Sequence, residues 1–306
     1  MQKNLPVAIL LSTYNGEKFI RQQLDSLLAQ DYPDIHIFIR DDGSSDGTLQ
    51  IVRGYADMHA GISVIPGVNL GFIQSFLQML AGCPDHFSYY FFCDQDDVWL
   101  PGKVSRAVHV LQQLEHGQTP LLYGARLQCV DVQLNPIHFS EPVNAERVSL
   151  GNALVQNIIT GCTAACNAAA RQLIVSRPLP RYALAHDWWM YLVIACFGKV
   201  VYDEQCHILY RQHGANTIGM RPSSWLSKAR KVLLRRKQRN IFDQVKELWH
   251  LYGEALPSHK KPMVQAFVAY PENLWQSLIL SVRPFYWRSR PFDSCMLRVL
   301  IALRCY

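Results

Sequence analysis

Three carboxylates come directly after an apolar run: Asp94, Asp96 and Asp97 follow FFC in the stretch FFCDQDDVWLP. Carboxylates clustered at the end of a buried strand repel one another and lose hydration, so they require a counter-charge. Their oxygens are the ligands that Mg²⁺ and Mn²⁺ prefer. A short DxD pattern also occurs where side chains merely cap a helix or face solvent. We favour a metal site, with Asp96 as the main ligand, because other polar strand ends are expected beside it.

The elements that must position these carboxylates alternate between strand and helix up to residue 97. PVAILLSTY, IHIFIRDD, ISVIPG and YYFFCDQDD are short apolar runs that end on polar residues, as buried strands do. Between them lie stretches with helical spacing of apolar residues, such as EKFIRQQLDSLLAQ. This alternation predicts an α/β fold, with a doubly wound, mostly parallel sheet flanked by helices.

The polar ends of the predicted strands should meet at one edge of the sheet. They carry residues 12–15, 41–42, 69 and 94–97, and ligands of such sheets bind at the carboxyl ends of the strands. The sequence has neither GxGxxG after its first strand nor GxxxxGK[ST] anywhere, which argues against a dehydrogenase or a P-loop enzyme. Phosphate charge must therefore be handled by a metal and by side chains.

The second half of the chain is less regular. TPLLYGARLQCVD reads as a strand, HDWWMYLVIACFG as an apolar helix, and KVVYDEQCHILYRQHG as two short strands. From about residue 222 the pattern becomes helical, with breaks near Pro257, Pro271 and Pro284.

Composition and charge narrow the class of protein. The chain has 306 residues and is 49% hydrophobic, enough for a full core. Its nine cysteines are odd in number and lie mostly in apolar stretches, which favours a reduced, cytosolic chain. The net charge of +6 is local, because eight basic and no acidic residues lie between 221 and 239. We therefore expect no nucleic-acid partner, and the short apolar runs predict a soluble or peripheral protein.

Seven motifs occur in an order that resembles the inverting family 2 glycosyltransferases of GT-A fold, and in particular their bacterial rhamnosyltransferase-like branch. They are LSTYNGEKFIRQQLDSLLAQ, IRDDGSSDGT, NLGF, CDQDDVWLPGK, ITGCT, HDWW and YRQHGANTIG. The resemblance covers residues 7 to 219. It implies a catalytic domain at 1–220, with a nucleotide-sugar half at about 1–100 and an acceptor half at about 101–220. A helical, basic extension follows at 221–306.

The same resemblance implies which residues hold the nucleotide. The end of the first strand would cradle it, Tyr14 would pack on a pyrimidine base, and Asp42 would accept the N3–H of that base. Asp41 would support Asp42 or the Gly43 turn. Glu17 has two possible roles, a contact with the donor or a cap of the following helix. Asn69 also has two, a contact with the ribose or a position in a turn. The predicted donor-site residues are Ser12, Thr13, Tyr14, Asn15, Glu17, Asp42, Asn69, Asp94 and Asp96.

The resemblance also implies the residues for metal binding and catalysis. Asp94 and Asp96 would bind the ribose and the metal. His213 would complete the coordination shell, unless it is an ordinary core or surface histidine. Asp187 would be the general base that takes the proton of the acceptor hydroxyl. The tryptophans after it would raise its pKa by desolvation. Alternatively, Asp187 is the N-cap of the helix that follows, and both roles can hold together.

The pocket for the transferred sugar or the acceptor is predicted from the remaining motifs. Trp188 and Trp189 would form a platform for a sugar ring, or else pack in the core. Arg211 lies where the family has side chains that contact phosphate or metal. The predicted pocket residues are Thr160, Gly161, Cys162, Trp188, Trp189 and Arg211.

The predicted function is inverting, metal-dependent transfer of a sugar to a glycan or lipid-linked acceptor in the synthesis of a bacterial surface polysaccharide. The preferred prediction for the sugar is L-rhamnose, donated by dTDP-β-L-rhamnose. The alternatives are a UDP-sugar donor, a nucleotidyltransferase, and an inactive homologue that serves as a binding or scaffold protein. The basic amphipathic segment 223–240 is expected to rest on the inner face of an anionic membrane. Its alternative is a helix packed on the catalytic domain.

Overall fold

The computed structural model describes residues 5–213, 241–269, 272, 274–282 and 286–302. Its strands are β1 Val7–Thr13, β2 Ile35–Asp41, β3 Ile62–Pro66, β4 Tyr89–Cys93, β5 Val98–Trp99, β6 Leu121–Val130, β7 Pro136–Phe139, β8 Ala165–Asn167 and β9 Lys199–Arg211. Its helices are α1 Ile20–Leu28, α2 Thr48–Met58, α3 Phe72–Gly82, α4 Lys103–Leu114, α5 Leu150–Ala153, α6 Ala168–Val175, α7 His186–Phe197, α8 Ile241–Tyr252, α9 Lys261–Ala269, α10 Leu274–Val282 and α11 Pro291–Ala302.

The first half of the sheet is parallel. β1 pairs in parallel with both β2 and β4, and β2 pairs in parallel with β3. In register, Thr13 lies opposite Asp41, and Leu11 lies opposite Cys93. The polar residues that follow these strands therefore share one edge, as the strand–helix alternation predicted.

The second half makes the sheet mixed. β8 runs antiparallel to both β4 and β6, whereas β6 and β9 are parallel. The strand order is β3-β2-β1-β4-β8-β6-β9-β5, with β7 paired to β6 outside that path. This agrees with the predicted mostly parallel, mixed α/β sheet.

The prediction of two short strands in KVVYDEQCHILYRQHG was wrong, because β9 is one strand of 13 residues. The polar residues in the middle of β9 remain in the sheet because the β6–β9 pairing shifts register there. Their side chains also find hydrogen-bond partners. Asp203 accepts hydrogen bonds from Arg106 Nε at 2.7 Å and from the Tyr123 hydroxyl at 3.0 Å. A polar stretch that resembles a turn is thus accommodated within a strand.

The core has two layers, one on each face of the sheet. One layer contains side chains of α3, α6, α7, α8 and α9, and the other contains those of α1, α2 and α4. Cys162 and Cys166 are both buried free thiols. Among the helices described, none is long and apolar enough to cross a membrane. The basic segment 223–240, to which the sequence assigns membrane contact, lies outside the described residues.

Candidate active site

The end of β1 is fixed to the turn after β2. Thr13 Oγ1 donates to Asp41 Oδ1 at 3.1 Å, and the same carboxylate accepts the Ser44 N–H at 2.9 Å. Gly43 adopts a φ of +82°, a conformation that favours glycine. Asp41 therefore supports the Gly43 turn, which was one of its two predicted roles.

Asp42 is almost fully buried and already has several partners. Its carboxylate pairs with the Arg40 guanidinium and accepts the N–H groups of Leu70 and Gly71, each at 2.9 Å. Arg40 also donates to the Val68 carbonyl at 2.9 Å. A carboxylate has about four acceptor positions, so three donors leave room for one more. Sequence reasoning missed Arg40, although a basic residue inside the strand IHIFIRDD was a visible signal.

The loop after β1 is joined to the loop after β4 by one side chain. Gln95 Oε1 accepts the Tyr14 N–H at 2.8 Å, and Gln95 Nε2 donates to the Tyr14 carbonyl at 3.0 Å. Gly16 packs so closely on Gln95 that a Cβ would lie 2.2 Å from Oε1. Asn15 has a φ of +49° and accepts the Ser45 N–H. The Tyr14 side chain remains 48% exposed and available to a ligand.

Three other predicted donor-site residues make local contacts. Glu17 accepts the N–H of Gly47, the residue before α2, at 3.0 Å. It therefore does not cap the helix that follows it, α1, as one prediction held. Ser12 Oγ and Ser75 Oγ are 2.7 Å apart, which ties β1 to α3. Asn69 is exposed, and its side chain accepts the backbone N–H two residues ahead at 3.1 Å, so it has the geometry of a turn residue.

Asp96 and His213 lie side by side. His213 Nε2 is 2.7 Å from Asp96 Oδ2, although 117 positions separate the two residues in the chain. The His213 ring is stacked on Phe19, with centroids 4.8 Å apart. The structure therefore brings together the two residues that were predicted to share a metal, and leaves a carboxylate oxygen and a ring nitrogen next to each other.

Of the other carboxylates of the acid loop, residues 94–97, Asp97 is fully buried and Asp94 is partly buried, as Asp96 is. Single ligand atoms of Asp94, Asp97 and Cys162 are all within 4.8 Å of one another. Burial, followed by the charges of Asp96 and Asp187, raises the pKa of Asp94 to about 7. Burial also raises the pKa of Asp97 and of the Cys162 thiol well above their ordinary values.

These contacts decide which residues could hold a cation. Cys162 is a neutral thiol inside the core, so it is a poor ligand for Mg²⁺ or Mn²⁺, and it is too buried to line an open sugar pocket as predicted. Asp96 and His213 offer a carboxylate oxygen and an imidazole nitrogen 2.7 Å apart, and Asp94 adds a second carboxylate from the same loop. Such a set fits a divalent cation, whose charge would offset the crowding of the acid loop.

Arg211 holds the acid loop in place through hydrogen bonds. Only 2% of the residue is exposed, and its guanidinium donates to the carbonyls of Asp96 at 2.8 Å and Val132 at 2.5 Å and to Gln22 Oε1 at 2.5 Å. Its backbone N–H donates to Asp97 Oδ1 at 3.0 Å. The prediction that Arg211 lines the sugar pocket was therefore wrong, because its donors are used to fix the loop.

Asp187 lies in the first turn of α7 and is 7% exposed. It accepts the Trp188 N–H at 2.7 Å, and the nearby Asn157 side chain and Gly161 backbone act to lower its pKa. Burial raises its pKa to about 6 despite these groups, so the predicted direction of the shift is confirmed. The N-cap of α7 is Ala185. The alternative that Asp187 is the N-cap was therefore wrong.

Gly161 lets the loop before β8 approach Asp187. A Cβ at this position would lie 2.8 Å from His186 Nε2 and 3.5 Å from Asp187 Oδ2. Thr160, just before it, is partly buried, and its carbonyl accepts the Thr163 N–H at 2.9 Å. Of the ITGCT motif, Gly161 thus lies beside the carboxylate that was predicted to be the base.

We expect Gly161→Ala to destabilise the protein by about 1–3 kcal/mol, the usual cost of overpacking, because the ring of His186 must shift. It should also slow transfer, since Asp187 shares that contact. Urea unfolding and initial rates measure the two effects. Gly54→Ala, in α2, is the matched control: its Cβ meets nothing within 4 Å, so it should leave stability unchanged or raise it. If Gly161→Ala and Gly54→Ala change the stability and the rate equally, the packing explanation is wrong.

The two tryptophans after Asp187 face different surroundings. Trp189 is 1% exposed and packs in the core, with its ring centroid 6.3 Å from that of Tyr252. Its predicted place in an acceptor platform was therefore wrong, and the packing alternative is correct. Trp188 is partly buried, and its indole N–H donates to the Ala153 carbonyl at 2.7 Å.

Sequence reasoning assigned no role to two buried ionisable side chains near the site. His186 is 4% exposed and stacks on Phe76 at 4.1 Å between centroids, and burial lowers its pKa to about 3, which keeps it neutral. Lys103 is 3% exposed, with Nζ 3.7 Å from the ring centroid of Trp99. Burial lowers the pKa of Lys103 to about 8, while nearby groups that include Asp97 act to raise it. The lysine of the WLPGK sequence was the available signal.

A mixed sheet of this order, with polar loops at the ends of β1, β2 and β4 and a buried carboxylate on a facing helix, defines a glycosyltransferase of GT-A fold. Residues 1–349 of TarS from S. aureus have this fold, with a TM-score of 0.59 and 15% identity over 98% of this chain and 79% of that one. A mannosyltransferase from Pyrobaculum calidifontis, solved with GDP-Man and Mn²⁺, matches at a TM-score of 0.52 and 18% identity, over 100% and 82% of the two chains.

The chain belongs to glycosyl transferase family 2, whose family model matches residues 8–173. A dTDP-rhamnosyl transferase, RfbG of Shigella flexneri, is 27% identical over 242 residues, which span 74% of this chain and 80% of the relative. An uncharacterised glycosyltransferase of Rickettsia typhi is 26% identical over 231 residues, spanning 69% of this chain and 65% of the relative. The predicted family, fold and enzyme class are thereby confirmed.

Proposed function

We propose that this enzyme is an inverting, metal-dependent glycosyltransferase that moves L-rhamnose from dTDP-β-L-rhamnose to a glycan or lipid-linked acceptor. The observation that carries the proposal is the buried Asp187 close to the acid loop: a Cβ on Gly161 would lie 3.5 Å from its Oδ2, and the Sγ of the next residue, Cys162, lies within 4.8 Å of an Asp94 carboxylate oxygen. The similarity to a dTDP-rhamnosyl transferase supports the choice of donor. TarS has been solved with UDP-GlcNAc, which keeps a UDP-sugar as the second candidate.

Inversion at the anomeric carbon requires a base on the side of the acceptor. Asp187 takes the proton of the acceptor hydroxyl, whose oxygen forms a bond to the anomeric carbon while the bond from that carbon to the diphosphate oxygen breaks. With a pKa of about 6, Asp187 is ionised at neutral pH and remains basic enough to accept the proton. The Trp188 N–H, which donates to Asp187 Oδ1 at 2.7 Å, orients its carboxylate.

The donor diphosphate lies, in this proposal, against Asp94, Asp96 and His213, which would hold Mg²⁺ or Mn²⁺. When bound, the cation stabilises the negative charge that develops on the leaving nucleotide. Asp96 and His213 are already in contact at 2.7 Å. Arg211 keeps the Asp96 backbone in place by donating to its carbonyl.

The base of the donor would pack on the exposed ring of Tyr14 and donate its N3–H to Asp42. Thymine and uracil both carry an N3–H, so Asp42 does not distinguish dTDP from UDP. The open acceptor position of Asp42 is compatible with either base. Selection between the two donors would depend on the sugar and on the surroundings of the base.

The acceptor is, in this proposal, a membrane-bound precursor of a bacterial surface polysaccharide such as an O-antigen. The enzyme would work in the cytoplasm, at the inner face of the membrane, with the basic segment 223–240 in contact with anionic lipid. An inactive homologue that only binds nucleotide sugars is the remaining alternative. The joint presence of Asp42, Asp96 and Asp187 speaks against it, because loss of activity usually removes one of these groups.

A panel of nucleotide sugars tests the choice of donor. We expect dTDP-rhamnose with Mn²⁺ to raise the melting temperature more than UDP-glucose, UDP-GlcNAc or GDP-mannose, since a ligand that binds only the folded state stabilises it. Omission of Mn²⁺ should reduce the shift. A shift with UDP-sugars alone would replace the donor, whereas binding without release of nucleotide in the presence of any acceptor would favour the inactive homologue.

A further inference from the structure

The two last helices present an apolar face to solvent. α10 and α11 pack against each other, and the residues on their outer sides are large and apolar. Trp275 and Val282 are each 74% exposed, and Phe292 is 67% exposed. We call this surface the α10–α11 face, and its main residues are Leu274, Trp275, Ile279, Val282, Phe292 and Val299.

The inner sides of the same helices are already packed. Leu280 and Leu297 are 2% and 1% exposed, and Ile301 is fully buried. Ser277 Oγ donates to the Ile301 carbonyl at 2.8 Å, which joins the two helices. The α10–α11 face is therefore a second apolar surface on helices whose first surface belongs to the core. Exposed apolar patches of this kind mark interaction sites.

The charge of this part of the chain indicates the kind of partner. Residues 271–306 contain five arginines and two acidic residues, and α10 itself contains no charged residue. Residues 221–239, immediately before α8 in the sequence, add eight basic residues and no acidic one. Tryptophan, phenylalanine and aliphatic side chains in a part of the sequence with excess positive charge are typical of segments that rest in the headgroup region of anionic bilayers.

We propose that the α10–α11 face is a docking surface for anionic phospholipid membranes. α10 has nine residues and α11 has twelve, so they are about 14 and 18 Å long. A bilayer core is about 30 Å thick. The helices therefore lie on the membrane with their apolar side chains inserted between headgroups. This extends the membrane contact of the proposed function to a described surface, and it does not depend on which sugar is transferred.

Vesicle co-sedimentation tests this surface. The wild-type chain should sediment with vesicles of phosphatidylcholine and phosphatidylglycerol and much less with phosphatidylcholine alone, because anionic headgroups attract the basic residues. The triple change Trp275→Ser, Val282→Ser and Phe292→Ser should weaken binding at least about tenfold, since it removes three inserted side chains. It leaves the basic segment 221–239 unchanged. Met58→Ser, on α2, is the control, because Met58 is 69% exposed but lies outside the face.

The outcomes separate this inference from the proposed function. Donor-induced thermal stabilisation of the triple variant should equal that of the wild type, which also shows that the variant is folded. Vesicle binding that is the same in the triple variant and the wild type overturns the inference. The inference is also overturned if the wild-type chain does not bind vesicles and light scattering shows it to be a dimer that the triple change dissociates. If the triple variant loses vesicle binding while a donor other than dTDP-rhamnose stabilises the protein, the inference stands and only the rhamnosyl assignment is refuted.

Discussion

The variant Asp187→Asn should transfer sugar about 10³-fold more slowly than the wild type while binding the donor equally well, since general-base catalysis contributes 10²- to 10⁴-fold. The amide has the same shape as the carboxylate and can still accept the Trp188 N–H, which lies 2.7 Å from Asp187 Oδ1. It cannot take a proton from the acceptor hydroxyl. Initial rates of nucleotide release and the donor-induced shift in melting temperature measure the two quantities separately.

The control for this variant is Asp57→Asn, an exposed carboxylate near the end of α2. It removes the same charge from the chain and should leave the rate unchanged. The pH dependence gives a second readout. Burial raises the pKa of Asp187 to about 6, so kcat/KM of the wild type should fall as the pH drops below 6, where the base becomes protonated. A rate of Asp187→Asn within threefold of the wild type would remove Asp187 from its proposed role.

Asp96→Asn should produce the second large effect, a loss of about 10²-fold or more in metal-dependent transfer. The side chain can still contact His213 Nε2, which is 2.7 Å from Asp96 Oδ2 in the wild type, but the negative charge is lost. We expect a higher Mn²⁺ concentration for half-maximal rate, measured by titration of Mn²⁺ at saturating donor. His213→Gln should shift the same titration less, because it removes a neutral ligand rather than a charged one.

Asp85→Asn is the matched control, because Asp85 is exposed and precedes β4, at the opposite end of the strand that the acid loop follows. It should leave the Mn²⁺ titration unchanged. If Asp96→Asn and the wild type have superimposable Mn²⁺ titrations, Asp96 is not a ligand. The site would then have to use Asp94 or depend on no metal.

The parallel half of the fold could be predicted because its signals are local. Each of β1, β2 and β4 is an apolar run that ends on polar residues, and parallel strands place those ends together. The pattern therefore predicts that Thr13, Asp42 and Asp94 lie at one edge. The same reasoning could not assign partners, since the contact between Asp42 and the start of α3 depends on chain folding over 28 positions.

The wrong predictions share a physical cause. α7 is buried on nearly all sides, so its sequence has no periodicity that would distinguish the buried Trp189 from the partly exposed Trp188. Arg211 is the last residue of β9, directly after the apolar run ILY, and so resembles a ligand-binding residue at a strand end. Its carbonyl partner on Val132 and its amide partner on Gln22 come from distant parts of the chain. Only tertiary structure reveals such long-range hydrogen bonds.

Gln95 has a thermodynamic consequence through its two hydrogen bonds to the Tyr14 backbone. The loop that would receive the nucleoside and the loop that would receive the cation are held together, so ordering one loop restrains the other. Whichever ligand arrives first then lowers the conformational entropy lost by the second. Cooperativity of this kind is reciprocal: each ligand strengthens the binding of the other by the same factor.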